Sequence, residues 1–585
     1  MKHLISIISL STLLAGCIAC TSCRKEAGYT GFVTPGEENG AELEVITDKA
    51  SYKPGETVSF KLSKTPSGEL DVRYLHLGET VYEHSQNTQE WTWTAPAEDY
   101  QGYMVEISLS DGTILATVAV DVSSDWSRFP RYGFLSSYAK MSETAIDGII
   151  SKLNRLHING VQFQDWHWKH HFPLGGTVAA PMEEYLDIAS RPTALGTVKG
   201  YVDACHKYGM KAIFYNLCFG ALDDAAQDGV KDEWYLFSDK GHQNKDFHGL
   251  GAPFKSSIYL VNPGNAEWQK YIAEKNDIVY KVCGFDGYQI DQLGYRGTRY
   301  DYSGNEINLT EAYASFIRAM KEAHPDKDLI MNAVGSYGYS EIVGTGKVAF
   351  AYNELWDSES EFKDLRTVIE NNYAVSDETR TVFAAYMNYD KANGVGVFNT
   401  PGVLLTDAMM FALGGSHLEM GEHMLGKEYF PNNNLGMTDE LQNAIVEYYD
   451  FMTAYENLLR DGGSFSDVEI SSKDDKLSFN SSEPQTGSVL ALKKTVGTRE
   501  VIHLLNLSQA NSTSWRDLDG TMPEPAFVGS PSVEIKTSGN PKRAWFASPD
   551  VDGGACKELN IMKGNDGVTL SLPSLKYWDM IVLEY

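Results

Sequence analysis

Cysteine is scarce in this sequence, and its positions do not indicate a disulfide framework. Seven cysteines occur among 585 residues, at positions 17, 20, 23, 205, 218, 283 and 556. Cys17, Cys20 and Cys23 have a spacing that can suggest zinc, but they lie in a leader segment, so we predict no zinc there. Three of the others, at 205, 218 and 283, fall in apolar stretches, where cysteine packs as a small core residue.

Positive charge is also in short supply. The chain has 49 lysines and arginines against 79 aspartates and glutamates, which gives a net charge of −30. Such a chain repels phosphate backbones, so we predict no nucleic-acid partner. An anionic polymer would be repelled in the same way, and a neutral substrate therefore fits better.

Several catalytic motifs are missing. The sequence contains no glycine-rich phosphate loop and no Gly-x-Ser-x-Gly elbow, so a Ser-His-Asp hydrolase has no support. The stretch from Glu419 to His423 partly resembles the zinc-protease pattern His-x-x-Glu-His, but the first histidine is absent. We therefore predict neither a metal ion nor another cofactor.

The N-terminus has the pattern of a targeting segment. A short basic start and an apolar stretch over 4–14 precede the tetrapeptide Leu-Ala-Gly-Cys, which ends at Cys17. This resembles a bacterial lipobox, in which cleavage leaves Cys17 as a lipidated N-terminus; a secretory signal cut elsewhere is the alternative. No other apolar run approaches the ~20 residues that span a bilayer. We expect an exported lipoprotein of the cell envelope, anchored through Cys17 at the outer-membrane surface or the periplasmic face.

Changes in hydrophobic period divide the rest of the chain. After the signal peptide and lipobox (1–23), residues 24–40 are polar and glycine-rich, as in a flexible tether. Residues 41–124 alternate apolar and polar side chains with turn signals between them, which predicts an immunoglobulin-like β-sandwich. Strand and helix patterns alternate over 125–463, and period two returns over 464–585, which predicts a C-terminal β-sandwich.

The central segment predicts a (β/α)8 TIM barrel, because strands that alternate with helices form a parallel sheet and eight of them close it. Two of the strand patterns end on a carboxylate, Asp291 and Glu354. These residues are 63 positions apart (354 minus 291), about two β/α units of roughly 31 residues each. We therefore expect Asp291 after one strand and Glu354 after the next strand but one, at the same barrel mouth.

Two carboxylates at one cleft are what glycoside hydrolysis requires. One must attack the anomeric carbon, and the other must be protonated so that it can donate to the leaving oxygen. Tyr352, Leu355 and Trp356 flank Glu354, and their bulk favours its protonated form. The alternative is that either acid only forms a salt bridge across the barrel top.

Three stretches carry a resemblance to a known family. GFDGYQIDQLG (284–294), AYNELWD (351–357) and GGSHLEMGEHMLGKEYFPN (414–432) resemble glycoside hydrolase family 66, and the likeness covers roughly 128–585. That family contains endo-dextranases and cycloisomaltooligosaccharide glucanotransferases, which act on α-1,6-linked glucan with retention through a barrel flanked by β-sandwiches. The resemblance implies that Asp291 is the nucleophile and Glu354 the acid/base.

By this resemblance the chain is a retaining endo-dextranase that cleaves α-1,6-glucosidic linkages of dextran to isomaltooligosaccharides. Two alternatives are a cyclising transglycosylase and a catalytically silent, glycan-binding surface lipoprotein. Cyclising members usually carry a carbohydrate-binding insertion in the barrel, and the segment from Asp390 to Gly415 is too short to hold one. Intact carboxylate motifs argue against a silent protein. Its partners would be the glucan, its products, the membrane, and glycan-uptake proteins at the cell surface.

Other residues are candidates for binding the sugar. The aromatic and histidine cluster that follows the second strand predicts a rim that stacks on sugar rings, with core packing and metal binding as alternatives. Asp286 either ties the fourth strand to its neighbours by hydrogen bonds or binds substrate hydroxyls. Asn216 and Asn388 end the third and seventh strands. The complete set of substrate-binding candidates is Asp286, Gln292, Trp166, His167, Trp168, Asn216, Tyr352, Asn353, Trp356, Asn388, Glu419, Glu422 and His423.

Overall fold

The computed structural model describes residues 43–564 and 566–585. The predicted signal peptide and lipobox (1–23), its lipidation site Cys17 and the tether (24–40) lie outside the described residues. Among the helices of the part that is described, none is both long enough and apolar enough to cross a membrane.

Two antiparallel sheets form the first region. One sheet contains Val45–Thr47, Thr57–Leu62 and Glu90–Thr94, and the other contains, in spatial order, Glu79–Gln86, Leu70–His76, Gln101–Ser108 and Ile114–Val122. Alternate side chains such as Val58, Phe60 and Leu62 are buried between the sheets, as the period of two in a strand requires. This is the predicted N-terminal sandwich.

Eight parallel strands form the central barrel. They are β1 (Tyr132–Leu135), β2 (Gly160–Phe163), β3 (Lys211–Leu217), β4 (Gly287–Asp291), β5 (Asp328–Val334), β6 (Ala351–Glu354), β7 (Thr381–Ala384) and β8 (Ser416–His417), each paired with the next. Just beyond β8, the amide of Phe134 in β1 donates to the carbonyl of Met420 over 3.1 Å. This contact brings the first and last strands together and confirms the predicted barrel.

Helices follow the strands around the outside of the barrel. They are α1 (Glu143–Arg155), α2 (Leu195–Lys207), α3 (Ala266–Cys283), α4 (Leu309–Ala323), α5 (Tyr339–Gly344), α6 (Phe362–Val375), α7 (Thr400–Ala412), α8 (Asp439–Ala454) and the short α9 (Glu456–Leu459). Ser142 and Thr438 cap α1 and α8, because their hydroxyls accept from the amides of Ala145 and Leu441 at 3.2 and 3.1 Å.

The N-terminal end of the barrel is closed by Trp126. Its ring packs against Phe350 and Tyr132, with centroids 5.5 and 6.1 Å apart, and its indole N–H donates to Asp328 over 2.9 Å. A Cβ atom at Gly160 would lie 2.2 Å from this ring, so β2 can pass the tryptophan only because residue 160 is glycine. Side chains therefore fill the barrel interior at this end.

A second pair of antiparallel sheets forms the C-terminal region. The larger contains Ser464–Ser466, Val489–Val496, Arg499–Asn506, Trp578–Glu584, Arg543–Ala547 and Lys557–Glu558 in spatial order, with Phe479–Asn480 alongside Val489–Val496. The smaller contains Ile470–Ser472, Ser532–Lys536, Gly567–Ser571 and Met562–Lys563. The predicted boundaries at 124/125 and 463/464 fall in the connections that lead into and out of the barrel.

Candidate active site

Asp291 and Glu354 lie at the C-terminal mouth of the barrel. Asp291 is the last residue of β4 and Glu354 the last residue of β6, with only β5 between them. This is the arrangement that their spacing in the sequence predicts. Both side chains are partly exposed to solvent at the mouth.

Asn332 on β5 joins the two carboxylates. Its Nδ2 donates to Asp291 Oδ1 over 2.9 Å and to Glu354 Oε2 over 3.0 Å. Since one nitrogen bonds both oxygens, those oxygens lie less than about 6 Å apart. The bridge therefore fixes the carboxylates relative to each other at close range.

A tyrosine holds the far side of each carboxylate. The hydroxyl of Tyr215, on β3, donates to Asp291 Oδ2 over 2.7 Å. The hydroxyl of Tyr386, just after β7, donates to Glu354 Oε1 over 2.6 Å. Each acid is thus held from two sides, which fixes its orientation before any substrate arrives.

Burial and mutual repulsion change the acidity of the pair. Burial, and then the charge of Asp291, raise the pKa of Glu354 to about 7, against the hydrogen bonds from Tyr386, Asn332 and Trp356. Burial also raises the pKa of Asp291, while hydrogen bonds from Tyr215 and Asn332 oppose the rise. One group can therefore hold a proton near neutral pH while the other is ionised, which is the division of labour that acid catalysis needs.

Three of the predicted binding residues lie in the half of the barrel that carries this pair. The ring of Trp356 lies 5.6 Å from that of Tyr386. Tyr352 occupies the barrel interior two residues before Glu354 and is 4% exposed. Glu422 accepts from the amides of Ser136 and Ser137, both at 2.9 Å, so it lies where the chain leaves β1, at the same end of the barrel.

Asp286 is at the other end. It precedes β4, and its carboxylate accepts from the amide of Ala212 over 2.9 Å and contacts His206 Nε2 at 2.8 Å. Five residues of extended chain separate it from Asp291, about 16 Å at 3.3 Å per residue. The structure therefore excludes Asp286 from the site and gives it the alternative role, that of tying β4 to its neighbours.

The three predicted asparagines are engaged within the protein. Asn216 follows the inward Tyr215 by one residue, so it faces out of the barrel, and its amide donates to the carbonyl of His170 over 2.8 Å. Asn353 Oδ1 accepts from Asn372 over 2.8 Å. Asn388 donates to the carbonyl of Asp517 over 2.7 Å. All three are at most 1% exposed, and their contacts correct the expectation that they bind sugar.

The predicted aromatic rim is mostly core. Trp166 is fully buried, with its ring 5.2 Å from that of Phe285. His167 is also fully buried, contacts His170 over 2.9 Å, and has a pKa that burial lowers well below its usual value. Trp168 is half-buried under the ammonium of Lys169, 4.3 Å from the ring. Packing, the alternative named above, accounts for Trp166 and His167.

Three further candidates are also buried and bonded within the protein. Gln292 is 1% exposed and its amide donates to the carbonyl of Asn332 over 3.2 Å. Glu419 is fully buried and accepts from the hydroxyl of Tyr449, on α8, over 3.1 Å. His423 contacts the carbonyl of Phe430 over 2.8 Å. These bonds hold the strands and loops around the site.

Two groups of side chains in the described residues are spaced closely enough to hold a metal ion: Asp407, His417 and Glu419, and His171, Asp224 and Asp228. In the first, His417 contacts Asp407 at 2.8 Å and the carbonyl of Ala385 at 2.8 Å, and burial encloses all three side chains. In the second, the ammonium of Lys169 already supplies the cation, at 2.6 and 2.7 Å from the two aspartates. Lys169 therefore neutralises the second group, whereas in the first Asp407 Oδ2 and Glu419 Oε2 are buried without a hydrogen-bond partner.

The sequence patterns did not identify Tyr215, Asn332 and Tyr386, the residues that hold the carboxylates. A signal was present for two of them. Asn332 is a polar residue inside the apolar strand pattern DLIMNAV, and Tyr215 is one position from Asn216, on the opposite face of the same strand. Asp165, in the loop after β2, is a further buried acid: burial raises its pKa to about 7, the charge of Arg191 opposes the rise, and the charges of Asp187 and Asp291 add to it.

Comparison with known proteins gives a consistent result. A sequence profile of Glycosyl hydrolase family 66 matches residues 47–582. The chain is 27% identical, over 750 aligned positions, to a cycloisomaltooligosaccharide glucanotransferase of Niallia circulans, an alignment that covers 100% of this chain and 75% of the relative. It is 24% identical to a dextranase of Streptococcus salivarius over 568 positions, covering 83% of this chain and 67% of the relative.

A solved structure has the same architecture. It is the cycloisomaltooligosaccharide glucanotransferase of Paenibacillus sp. in complex with cycloisomaltoheptaose, which superposes with a TM-score of 0.85 at 25% identity. The match covers 92% of this chain and 100% of that chain. The barrel and both β-sandwich regions thus belong to one shared architecture.

Proposed function

The chain belongs to glycosyl hydrolase family 66, and from this premise we propose that it is a retaining, endo-acting hydrolase of α-1,6-glucan such as dextran, with isomaltooligosaccharides as products. The observation that carries the proposal is the pair Asp291 and Glu354, bridged by Asn332 with facing oxygens less than about 6 Å apart. Retaining glycosidases hold their carboxylates about 5–5.5 Å apart, whereas inverting enzymes need about 6.5–9.5 Å to admit a water.

In the proposed mechanism, Asp291 attacks the anomeric carbon from the face opposite the leaving chain. Glu354 gives its proton to the departing 6-oxygen, so the glycosidic bond breaks as a glycosyl ester of Asp291 forms. Glu354 then takes a proton from water, which attacks the ester and releases Asp291. Two inversions leave the α configuration unchanged.

The acidities of the pair support both halves of this cycle. Glu354 has a pKa of about 7 partly because Asp291 is charged, so it starts as a proton donor. When Asp291 becomes an ester its charge is lost, and the pKa of Glu354 falls. Glu354 is then ionised and able to accept a proton from the incoming water.

Hydrolysis is supported by a difference in length from the Niallia circulans glucanotransferase, although the Paenibacillus glucanotransferase is matched along its whole chain. The alignment with the Niallia circulans enzyme spans 750 positions and the chain has 585 residues, so at least 165 positions of the relative have no counterpart here. We propose that these unmatched positions include what that cyclising enzyme uses to hold the far end of the glucan. The segment from Asp390 to Gly415 contains a 3-10 helix (Lys391–Asn393), a two-residue strand (Gly396–Val397) and α7.

Cyclising transglycosylation is the second candidate. It is favoured by the identity of 27% to the glucanotransferase, against 24% to the dextranase. The bridged pair serves both reactions, because they share the glycosyl ester and differ in whether water or a sugar hydroxyl attacks it.

Product analysis separates the candidates. Purified protein is incubated with dextran, and the products are followed by mass spectrometry and by proton NMR of the anomeric positions. The proposal expects linear isomaltooligosaccharides, with the α-anomer first, and a fall in polymer size that outpaces the release of reducing ends. Rings, each lighter than the linear chain by one water, would establish the second candidate. A β-anomer as first product would contradict both, and intact dextran would favour a silent binding protein.

We also propose that the protein is a lipoprotein of the cell envelope. The sequence supports this through the apolar stretch that leads to Leu-Ala-Gly-Cys17. Cys17→Ala should either leave the leader uncut or release the processed protein from the membrane fraction. A processed Cys17→Ala protein that still fractionates with membranes would contradict the lipidation.

A further inference from the structure

A groove lies on a long excursion of the chain between β3 and α3. Residues 218–262 leave the barrel mouth and form a small antiparallel sheet of Gly220–Ala221, Ile258–Leu260 and Phe247–His248. Beside this sheet and the loop that follows β4 is a cavity of about 460 Å³. Its lining includes Phe247, Tyr259, Tyr302, His242, Gln243 and Asn244.

Aromatic rings form the walls of this groove. Phe247 is 53% exposed and Tyr302 is 37% exposed. Phe247 lies 5.9 Å from Tyr259, and His242 stacks on Tyr302 at 4.2 Å, which fixes the plane of that ring. Leaving large rings half in water forgoes favourable burial, and a cluster of such rings around one cavity is typical of a ligand site.

The charge of the groove favours a neutral ligand. Its two charged lining residues, Asp232 and Lys245, neutralise each other, with Lys245 Nζ donating to Asp232 over 2.6 Å. The amide side chains of Gln243 and Asn244 are exposed at the rim. Flat rings with amides beside them and no net charge suit a polyhydroxylated, uncharged ring compound, which is the chemistry of a glucan.

The loops that carry the groove begin beside the candidate active site. The excursion starts at Cys218, whose amide donates to the carbonyl of Asp291 over 2.9 Å. Its middle is tied to the loop after β4 by Asp246, which contacts Arg296 and Arg299, each at 2.8 Å. The groove is therefore held by the two loops that leave the barrel beside Asp291, at the same end as the carboxylate pair.

We propose that this groove is a secondary glucan-binding site that holds a stretch of the polymer outside the cleavage site. The identity of the glucan rests on the proposed function; the existence of a neutral-glycan site rests on the groove itself. A chain long enough to occupy both places gains affinity from the second contact, whereas a short oligosaccharide fills only the active site.

The test removes the exposed rings and leaves the carboxylates intact. The double variant Phe247→Ala/Tyr302→Ala is compared with Phe527→Ala, a control at a ring that is 66% exposed on the C-terminal region. Binding to dextran is measured by affinity electrophoresis in an Asp291→Asn background, which prevents turnover. Kinetics with dextran and with isomaltotetraose are measured in the active background.

We expect dextran binding to weaken about tenfold or more in the double variant, as truncation of aromatic anchors commonly does. The kcat/KM on dextran should fall similarly, and that on isomaltotetraose should stay at the control value. Equal losses on both substrates, or no loss on either, would overturn the secondary site. A midpoint of thermal unfolding equal to that of the wild type would show that the double variant is folded.

The same variants separate this inference from the proposed function. If the wild-type protein does not bind dextran, the α-1,6 assignment fails, and binding to pullulan and starch is then measured by the same affinity electrophoresis. Weaker binding by the double variant to a glucan that the wild type binds would support the groove as a glycan site. If the wild type binds none of these neutral glucans, or the double variant binds as well as the wild type, the groove is no glycan site.

Discussion

The two ends of the barrel are built from the same eight strands, but their inward side chains differ in kind. At the N-terminal end, Trp126 packs against Tyr132 and Phe350 and closes the interior. At the C-terminal end, polar side chains surround an opening. On β3 the inward side chain changes from Ile213 to Tyr215, and on β5 from Ile330 to Asn332, in each case over two residues, or about 7 Å.

This difference shows how one scaffold separates stability from chemistry. The packed end consists of buried aromatic and aliphatic side chains, which contribute to stability through burial. The open end holds two acids with raised pKa values between hydrogen-bond donors that fix them. In barrels of this kind the C-terminal face carries the active site and the opposite face supports the fold. Substitutions at the open end should therefore change activity, and substitutions at the packed end should change stability.

Changing Asp291 to asparagine should abolish activity, because the amide cannot form the glycosyl ester. A loss on the order of 10⁴-fold or more in kcat is expected for removal of a nucleophile. Asp286→Asn is the matched control, since it makes the same substitution at the other end of β4. Its kcat per folded molecule should remain near that of wild type. Comparable losses in the two variants would break the distinction between the ends.

Glu354→Gln should lose roughly 10²–10⁴-fold in kcat on dextran, the usual contribution of a general acid/base. A substrate with an activated leaving group needs no proton, so ester formation on such a substrate should be largely restored. Azide, a nucleophile that needs no base, should then speed turnover and yield an α-glycosyl azide. No rescue by either route would argue that Glu354 has another role.

The pH dependence should follow the protonation of Glu354. Because the acid must be protonated and its pKa is about 7, kcat/KM should fall as pH rises through about 7. Tyr386 donates a hydrogen bond that lowers this pKa, so Tyr386→Phe should move the alkaline limb to higher pH. Tyr389→Phe is the control, since that hydroxyl donates to Glu428. A shift to lower pH in Tyr386→Phe would contradict the assignment.

The smallest effect on activity is expected at the packed end. Trp126→Ala leaves a cavity and removes the donor to Asp328, and should lower the free energy of unfolding by about 3–5 kcal/mol. The kcat of the folded fraction should stay close to wild type. Denaturant unfolding and kinetics below the transition measure the two quantities, with Phe527→Ala as an exposed control. A large loss of kcat without a loss of stability would show that the ends are coupled.

The barrel could be predicted from the sequence because strand and helix periods alternate eight times and two strand patterns end on carboxylates. The pair itself followed from the spacing of 63 residues between Asp291 and Glu354. The residues that contact the pair were not predicted correctly. Asn216 was chosen where Tyr215 faces the site, because the face of a buried strand cannot be read from composition when both faces are covered.

Other binding residues were predicted wrongly because contacts with distant segments of the chain bury them. Trp166 was expected at a rim, yet Phe285, more than one hundred residues later, covers it. The position of Asn388 after the seventh strand predicts a contact with sugar hydroxyls, yet the C-terminal region supplies its partner, Asp517. A polar or aromatic side chain has the same appearance in a sequence whether it meets substrate or the protein's own backbone. Only the packing of distant segments decides between the two.

Trapping the glycosyl ester tests directly whether Asp291 is the nucleophile. Glu354→Gln is mixed with α-isomaltosyl fluoride, which needs no acid to leave, and the reaction is stopped by acid within its first turnover. Peptide mass spectrometry then locates any attached sugar. We expect an isomaltosyl group on Asp291, because in Glu354→Gln the ester forms normally and its hydrolysis is slow without a base. Release of fluoride with no adduct, or an adduct on any other residue, would contradict it.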